Sequence, residues 1–192
     1  MASKLSIISG AAVRLGGVPV ISLTEDTKAA QSGDSLYDTI LEGTLANHRW
    51  GFAKGKISLS LLADAPLNEW SYAYQLPTNP KLLSLVRVYP RMNYARYEDK
   101  IYCNSNQGID IDYIYAPDAS KFPPYFVELM EVRMAAAMAI PVTGSRTLRS
   151  EMLGEISGNN LEPGLWAKAT GRDAQEYPQV PIEDSPYVQV RR

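Results

Sequence analysis

One stretch of this sequence, Met134-Ala135-Ala136-Ala137-Met138-Ala139, is apolar on almost every side of the helix that it predicts. Pro123-Pro124 stands at the start of the same segment, and proline is well tolerated in the first turn of a helix. A helix without a polar face must be covered all round, so we expect a buried central helix that Pro141 ends after about Ile140. Other elements must pack around it.

Further helices are predicted on both sides of this segment. Ser3 can cap a helix over residues 3–15, which Gly16-Gly17 ends. A second helix is expected to start among Ser22, Thr24, Glu25 and Asp26 and to run to about Asn47. After the central helix, Ser145 can cap a helix to Ile156, and a further amphipathic stretch contains Leu161, Leu165, Trp166 and Ala169.

The β-rich segments lie together between the helical parts, over residues 57–61, 82–89, 94–97, 101–103 and 109–115. This order predicts an α+β fold in one domain, residues 1–176. Its helical bundle body comprises residues 1–50 and 123–176, and its inserted antiparallel β-strand block comprises residues 51–122. Residues 177–192 contain three prolines and no helical stripe, so we expect an extended C-terminal tail.

Composition excludes several classes of protein. The 192 residues carry 19 basic and 21 acidic side chains, and a net charge of −2 argues against a dedicated nucleic-acid binder. A single cysteine cannot form an intramolecular disulfide. No apolar stretch approaches the roughly 20 residues that cross a bilayer, so we expect no membrane partner. Arg14 interrupts the apolar stretch near the N-terminus and no cleavage site of small residues follows it, so we expect no secretion.

The residues for most catalytic and metal chemistry are missing from the sequence. His48 is the only histidine and Cys103 the only thiol, so neither a histidine metal cluster nor a zinc thiolate site is expected. A Cys103–His48 nucleophile pair stays open, but neither residue lies in a recognisable nucleophile motif. Gly16-Gly17 follows a predicted helix, where a phosphate-binding glycine loop would follow a strand. We therefore expect no enzyme and no cofactor.

Two polar patterns in the β block leave alternatives open. Asp110 and Asp112 share one strand face and could bind Mg²⁺ in a nuclease, helped by Glu98, Asp99 and Lys100, although a solvated outer face explains them as well. The other pattern interleaves four cations with tyrosines, as a platform for single-stranded nucleic acid or a protein interface would. It comprises Arg87, Arg91, Arg96 and Lys100 with Tyr89, Tyr94 and Tyr97.

An opening segment and two motifs follow one another along the sequence. The opening is a predicted helix that ends in Leu15-Gly16, followed by an apolar-proline stretch and an acidic helix start. The first motif is His48-Arg49-Trp50-Gly51-Phe52-Ala53, and the second is Trp70-Ser71-Tyr72-Ala73-Tyr74-Gln75-Leu76-Pro77. This ordered set, over about residues 5–176, resembles the tail tubular protein A family, the head-to-tail adaptors of short-tailed bacteriophages. The first motif is similar to the family's most specific one, with Arg49 where proline is frequent.

The resemblance implies a non-enzymatic virion protein, assembled in the host cytoplasm. Twelve copies would form a ring between the portal protein and the tail nozzle protein, with DNA passing through the lumen without specific binding. The motif residues His48, Trp50, Phe52, Trp70, Tyr72, Tyr74 and Pro77 would then be structural. Candidate contact residues, for subunit or nozzle contact or for portal docking by the tail, are Tyr89, Tyr94, Tyr97, Tyr102, Asp110, Asp112, Tyr187, Arg191 and Arg192.

Overall fold

The fold is α+β, as the sequence predicts. A computed structural model describes residues 2–64, 66, 69–159 and 161–177. Within them lie five helices: α1 (Lys4–Arg14), α2 (Lys28–Ala46), α3 (Pro124–Thr143), α4 (Arg146–Ser157) and α5 (Leu165–Glu176). The strands are β1 (Lys54–Leu59), β2 (Tyr72–Gln75), β3 (Ser84–Tyr89), β4 (Tyr94–Tyr97), β5 (Lys100–Cys103) and β6 (Ile109–Ile114).

The helical body is built around α3. Most side chains of its middle turns are buried, and α1, α2, α4 and α5 all contact it. The core of the body contains Ile7, Leu45, Trp50, Phe126 and Met134, each fully buried. The apolar stretch from Met134 to Ala139 therefore lies in the central helix of this body, as the sequence predicts.

The β block consists of two three-stranded antiparallel sheets. The strand order is β1-β6-β3 in the first sheet and β2-β5-β4 in the second. Directly after β1 the chain reaches the second sheet, where residues 60–62 pair with β2. Leu62 N–H donates to Ala73 O at 2.8 Å, and Gln75 N–H donates to Ser60 O at 3.2 Å. Tyr74, Ile101 and Ile111 belong to a second hydrophobic cluster within this block.

Two predicted helix boundaries are wrong. α2 begins at Lys28 with Thr27 as its cap, because the Glu25 carboxylate instead accepts the N–H groups of Ile21 and Ser22 and holds residues 21–25 in a turn. Pro141 does not end α3. A proline in the last turn removes only one hydrogen bond, and the helix continues to Thr143, where Gly144 at φ +71° caps it.

Two further expectations, for the last helix and the first strand, differ from the structure. Leu161 lies outside α5 and is exposed, because the Asn159 side chain accepts the N–H of Leu161 and closes a turn. β1 spans Lys54–Leu59 rather than 57–61, and Leu61 forms an isolated bridge to Tyr74. β2 has no counterpart among the predicted strands, although its residues belong to the second motif of the resemblance.

Gly33 and Gly43 occupy different surroundings on α2. A Cβ atom at position 33 would overlap Cγ2 of Ile8 on α1, whereas a Cβ atom at position 43 would meet nothing within 4 Å. The absence of a side chain at Gly33 therefore sets the spacing of α1 and α2. Gly43 is exposed, and nothing in its surroundings requires glycine.

Gly33→Ala is expected to lower the free energy of unfolding by about 1–3 kcal/mol through overpacking against Ile8. Gly43→Ala is the matched control on the same helix and should raise it by up to about 1 kcal/mol through helix propensity. Urea unfolding followed by circular dichroism measures both changes. A shift in the same direction for both variants would contradict the packing argument.

Candidate functional site

The first motif of the resemblance forms the centre of the helical core. Trp50 is fully buried, and its Nε1–H donates to Thr44 O at 3.0 Å. Its ring centroid lies 5.0 Å from that of Phe126 and 5.7 Å from that of Trp166, both nearly edge-on. His48 lies edge-on to the Trp50 indole at 4.7 Å, and Phe52 lies 4.7 Å from Phe126. These residues build the core rather than a surface.

A buried carboxylate on α5 completes this cluster. Asp173 is 3% exposed and accepts the Gly51 N–H at 3.0 Å and the Tyr125 hydroxyl at 3.0 Å. Nε2 of His48 lies 3.5 Å from its Oδ2. Burial, and then the hydrogen bond to Asp173, raises the pKa of Tyr125 well above its usual value. Asp173 thus connects α3, α5 and the segment that leads from α2 into β1.

Sequence reasoning did not select Asp173 as a site residue, although a signal was present. Leu165, Ala169 and Asp173 recur every four residues and so lie on one face of α5. An acidic side chain on an otherwise apolar face predicts a carboxylate that is buried with hydrogen-bond donors.

The second motif forms the corresponding part of the β-block core. Tyr74 is fully buried, and its hydroxyl donates to Ser105 O at 2.8 Å. Tyr72, Trp70 and Pro77 are half-buried around it. Within the part of the chain that the structure describes, the buried Nε1–H of Trp70 has no acceptor.

The four candidate tyrosines are divided between the two sheets. Tyr94, Tyr97 and Tyr102 lie in the second sheet; Tyr94 and Tyr97 are exposed, and the Tyr97 ring centroid lies 5.4 Å from that of Tyr102. Tyr89 lies at the end of β3 in the first sheet and is half-buried. Together they do not form one continuous aromatic platform.

Asp110 and Asp112 differ in their surroundings, and the solvated-face expectation is wrong for Asp112. Asp110 is exposed and accepts the hydroxyl of Ser58. Asp112 is 5% exposed, because the neighbouring strands cover it with long side chains. The Tyr89 hydroxyl donates to it at 3.1 Å, and the ammonium groups of Lys54 and Lys56 lie 3.8 and 3.6 Å away.

The acidic residues that could bind Mg²⁺ together with Asp110 and Asp112 lie in the other sheet. Glu98 and Asp99 lie in the β4–β5 turn of the other sheet, and Asp99 accepts a hydrogen bond from Gln75. Among the described residues, no three acidic, histidine or cysteine side chains come together as metal ligands. Lysines already neutralise Asp112. The described residues thus add no support to the nuclease alternative, which stays a prediction from the sequence.

The structure does not bring together Cys103 and His48, the candidate nucleophile pair. Cys103 is buried in the β-block cluster, and its thiol contacts Ser105 O at 3.6 Å. His48 instead packs on Trp50 in the helical body. Tyr187, Arg191 and Arg192 lie outside the described residues.

Two surface grooves were not apparent from the sequence. An open groove of 480 Å³ lies between the edge strands β3 and β4, where it is lined by Val86, Arg87, Val88, Arg91, Met92, Asn93 and Tyr94. A smaller groove of 220 Å³ crosses the helical body and is lined by Ile40, Arg133, Ala136, Ala137, Arg149, Leu153 and Ile156. Burial lowers the pKa of Arg133, whose guanidinium lies 5.6 Å from the Trp166 ring centroid.

In the described ranges, no helix combines the length and the apolarity that a bilayer crossing requires. No protein-family model matches the chain, and no curated protein matches it either.

Proposed function

We propose that the protein is a structural virion protein, a head-to-tail adaptor. Copies of the chain, twelve by the resemblance, form a ring that joins the capsid portal protein to the tail nozzle protein. DNA passes through the lumen without specific binding, and the protein performs no catalysis.

One observation carries the proposal. The two stretches that carry the resemblance centre on Trp50 and Tyr74, and these are the largest fully buried side chains of the two hydrophobic clusters. Residues at such positions specify a fold, because interiors are close-packed and each large side chain fixes its neighbours. A likeness at these positions therefore supports a shared architecture more strongly than surface matches would.

The surfaces outside these cores fit an assembly role. A ring of identical subunits uses a heterologous interface, in which each copy presents two different complementary faces. The helical body carries an apolar groove, and exposed apolar residues Val18 and Ile21 lie elsewhere on it. The β block adds exposed Tyr94 and Tyr97, the aromatic type that protein interfaces favour, as the tail-facing contact region.

The charge of the chain fits a conduit for DNA. The formal net charge of −2 gives no general excess of cations to hold phosphates. A channel that bound the DNA backbone tightly would slow ejection. Residues 178–192 are assigned to portal docking through Tyr187, Arg191 and Arg192.

Electron microscopy of the full chain, mixed with the portal protein of the same virion, tests the proposal. We expect a closed ring stacked on the portal, and we expect a chain without residues 178–192 to stay folded and to lose docking. Asp110→Asn separates the nuclease alternative, because a nuclease would lose Mg²⁺-dependent cleavage, whereas the adaptor has no cleavage to lose. No ring on the portal, or cleavage that Asp110→Asn abolishes, would overturn the proposal.

A further inference from the structure

The groove on the helical body contains more positive charge than its surroundings neutralise. Arg133 is half-buried against Trp166, and Arg149 lies at the exposed rim. Within the described residues, neither guanidinium has a carboxylate within 4.0 Å; the ion pairs of this region, Arg14 with Glu131 and with Glu155, leave both out. A guanidinium that is partly removed from water favours an anionic partner.

The rest of the groove is apolar. Buried Ala136 and half-buried Ala137 of α3 line it together with Ile40 of α2 and Ile156 of α4, and Leu153 of α4 is 46% exposed. The groove therefore suits a segment that offers branched apolar side chains with acidic residues close by.

The loop between α1 and α2 has this chemistry. Val18 is 78% exposed and Ile21 is 81% exposed, and the acidic residues Glu25 and Asp26 follow them. Asp26 accepts a hydrogen bond from Gln31 at 2.7 Å, and in the described part of the chain no basic side chain pairs with it. Buried Val20 and the Glu25 carboxylate, which accepts the Ile21 N–H at 2.9 Å, hold the loop in shape. Its exposed apolar residues are thus presented from a fixed backbone.

Within one copy the loop does not fill the groove. None of the residues 15–27 lines it, and Val18 and Ile21 are exposed. Buried Val20 and the Thr27 cap of α2 hold the loop in this position. A contact between them must join two molecules.

We propose that residues 18–26 of one copy dock into the helical-body groove of a second copy. Val18 and Ile21 pack on Ala137 and Leu153, and Asp26 pairs with Arg149 in the groove that Arg133 also lines. This contact is heterologous, because loop and groove lie on different parts of the chain, so it propagates from copy to copy and closes into a ring when the rotation permits. It rests on the proposed function, for which it supplies the subunit contact.

Thiol cross-linking with a short bis-maleimide tests the contact in the full chain. Thr24→Cys and Ser150→Cys place thiols beside the two proposed partners without removing Asp26 or Arg149, and both positions are exposed. Thr24→Cys with Gln107→Cys, on an exposed loop of the β block, is the matched control. The unmodified chain, whose only thiol is the buried Cys103, gives the background.

The assay is run on chains assembled on the portal and on the free chain at high concentration. We expect a ladder of covalent multimers for the Thr24–Ser150 pair and only background for the control pair. If rings form on the portal without this ladder, the loop–groove contact is wrong and the adaptor function stands. If no ring forms, the adaptor function fails, and the free chain decides: a Thr24–Ser150 ladder supports the contact, whereas its absence overturns it.

Exchanging the charges of Asp26 and Arg149 tests whether the two side chains pair with each other or only lie in the same region. Asp26→Arg alone, or Arg149→Asp alone, should reduce the yield of the Thr24–Ser150 product at least about fivefold, since like charges then face each other. The double variant should restore most of the yield. If neither single reversal reduces the yield, or if the double variant does not recover, the proposed pairing is wrong.

Discussion

Trp50→Ala is expected to lower the free energy of unfolding by about 3–5 kcal/mol, the range for removing a large aromatic side chain from a core. The indole is fully buried and contacts the rings of Phe52, of Phe126 on α3 and of Trp166 on α5, so its loss leaves a cavity between rigid elements. The Thr44 carbonyl also loses the donor at 3.0 Å. Urea unfolding followed by circular dichroism provides the measurement.

Trp166→Ala is the matched control for this prediction. Trp166 belongs to the same aromatic cluster but is half-buried on α5, so water can fill part of the space that its removal leaves. We expect a loss of roughly half that of Trp50→Ala, because the transfer contribution scales with the area removed from water. Equal losses would mean that Trp50 is not the centre of the cluster.

Local signals in the sequence predicted the elements whose structure is determined locally. Ser3 caps α1 through the Ser6 N–H, and β4 spans Tyr94–Tyr97 as expected from its flanking turns. The all-apolar segment predicted the central helix because its burial follows from composition alone. For the cap of α1 and for β4, the deciding contacts lie within a few residues of the chain.

The errors arise where distant or side-chain contacts decide. Acidic residues near a helix start favour the N-terminus, but the Glu25 carboxylate binds the preceding backbone and delays α2 to Lys28. Asp112 looked solvated from the alternation of β6, yet Tyr89 and Lys56 from the two neighbouring strands cover it. Strand order and register, which place these side chains, are not encoded in any single segment.

The candidate site, too, could be predicted from the sequence only in part. The motifs around Trp50 and Tyr74 could be selected from the sequence through their resemblance to the motifs of a known family. The helical-body groove could not, because it joins residues of α2, α3 and α4 that are far apart in the chain. Arg133 becomes a candidate only when its burial is known, together with the lack of a carboxylate near it among the described residues.

Asp173→Ala is the second large prediction, with an expected loss of about 3 kcal/mol in the free energy of unfolding. The carboxylate accepts the Gly51 N–H and the Tyr125 hydroxyl in a site that is almost closed to water. Alanine would leave both donors without an acceptor, and each unsatisfied buried group costs about 1–3 kcal/mol. Because Asp173 connects three parts of the body, its loss affects the junction between the helices and β1.

Asp173→Asn distinguishes hydrogen bonding from charge at this position. The amide keeps one oxygen that can accept a donor, so we expect a smaller loss, about 1 kcal/mol, when only the charge-assisted part of each bond is removed. Combining Asp173→Ala with Tyr125→Phe should cost less than the sum of the single changes, because both remove the same 3.0 Å hydrogen bond. Strict additivity in this double-mutant cycle would show that the Tyr125–Asp173 contact does not stabilise the fold, and the loss would then have to come from the Gly51 N–H alone.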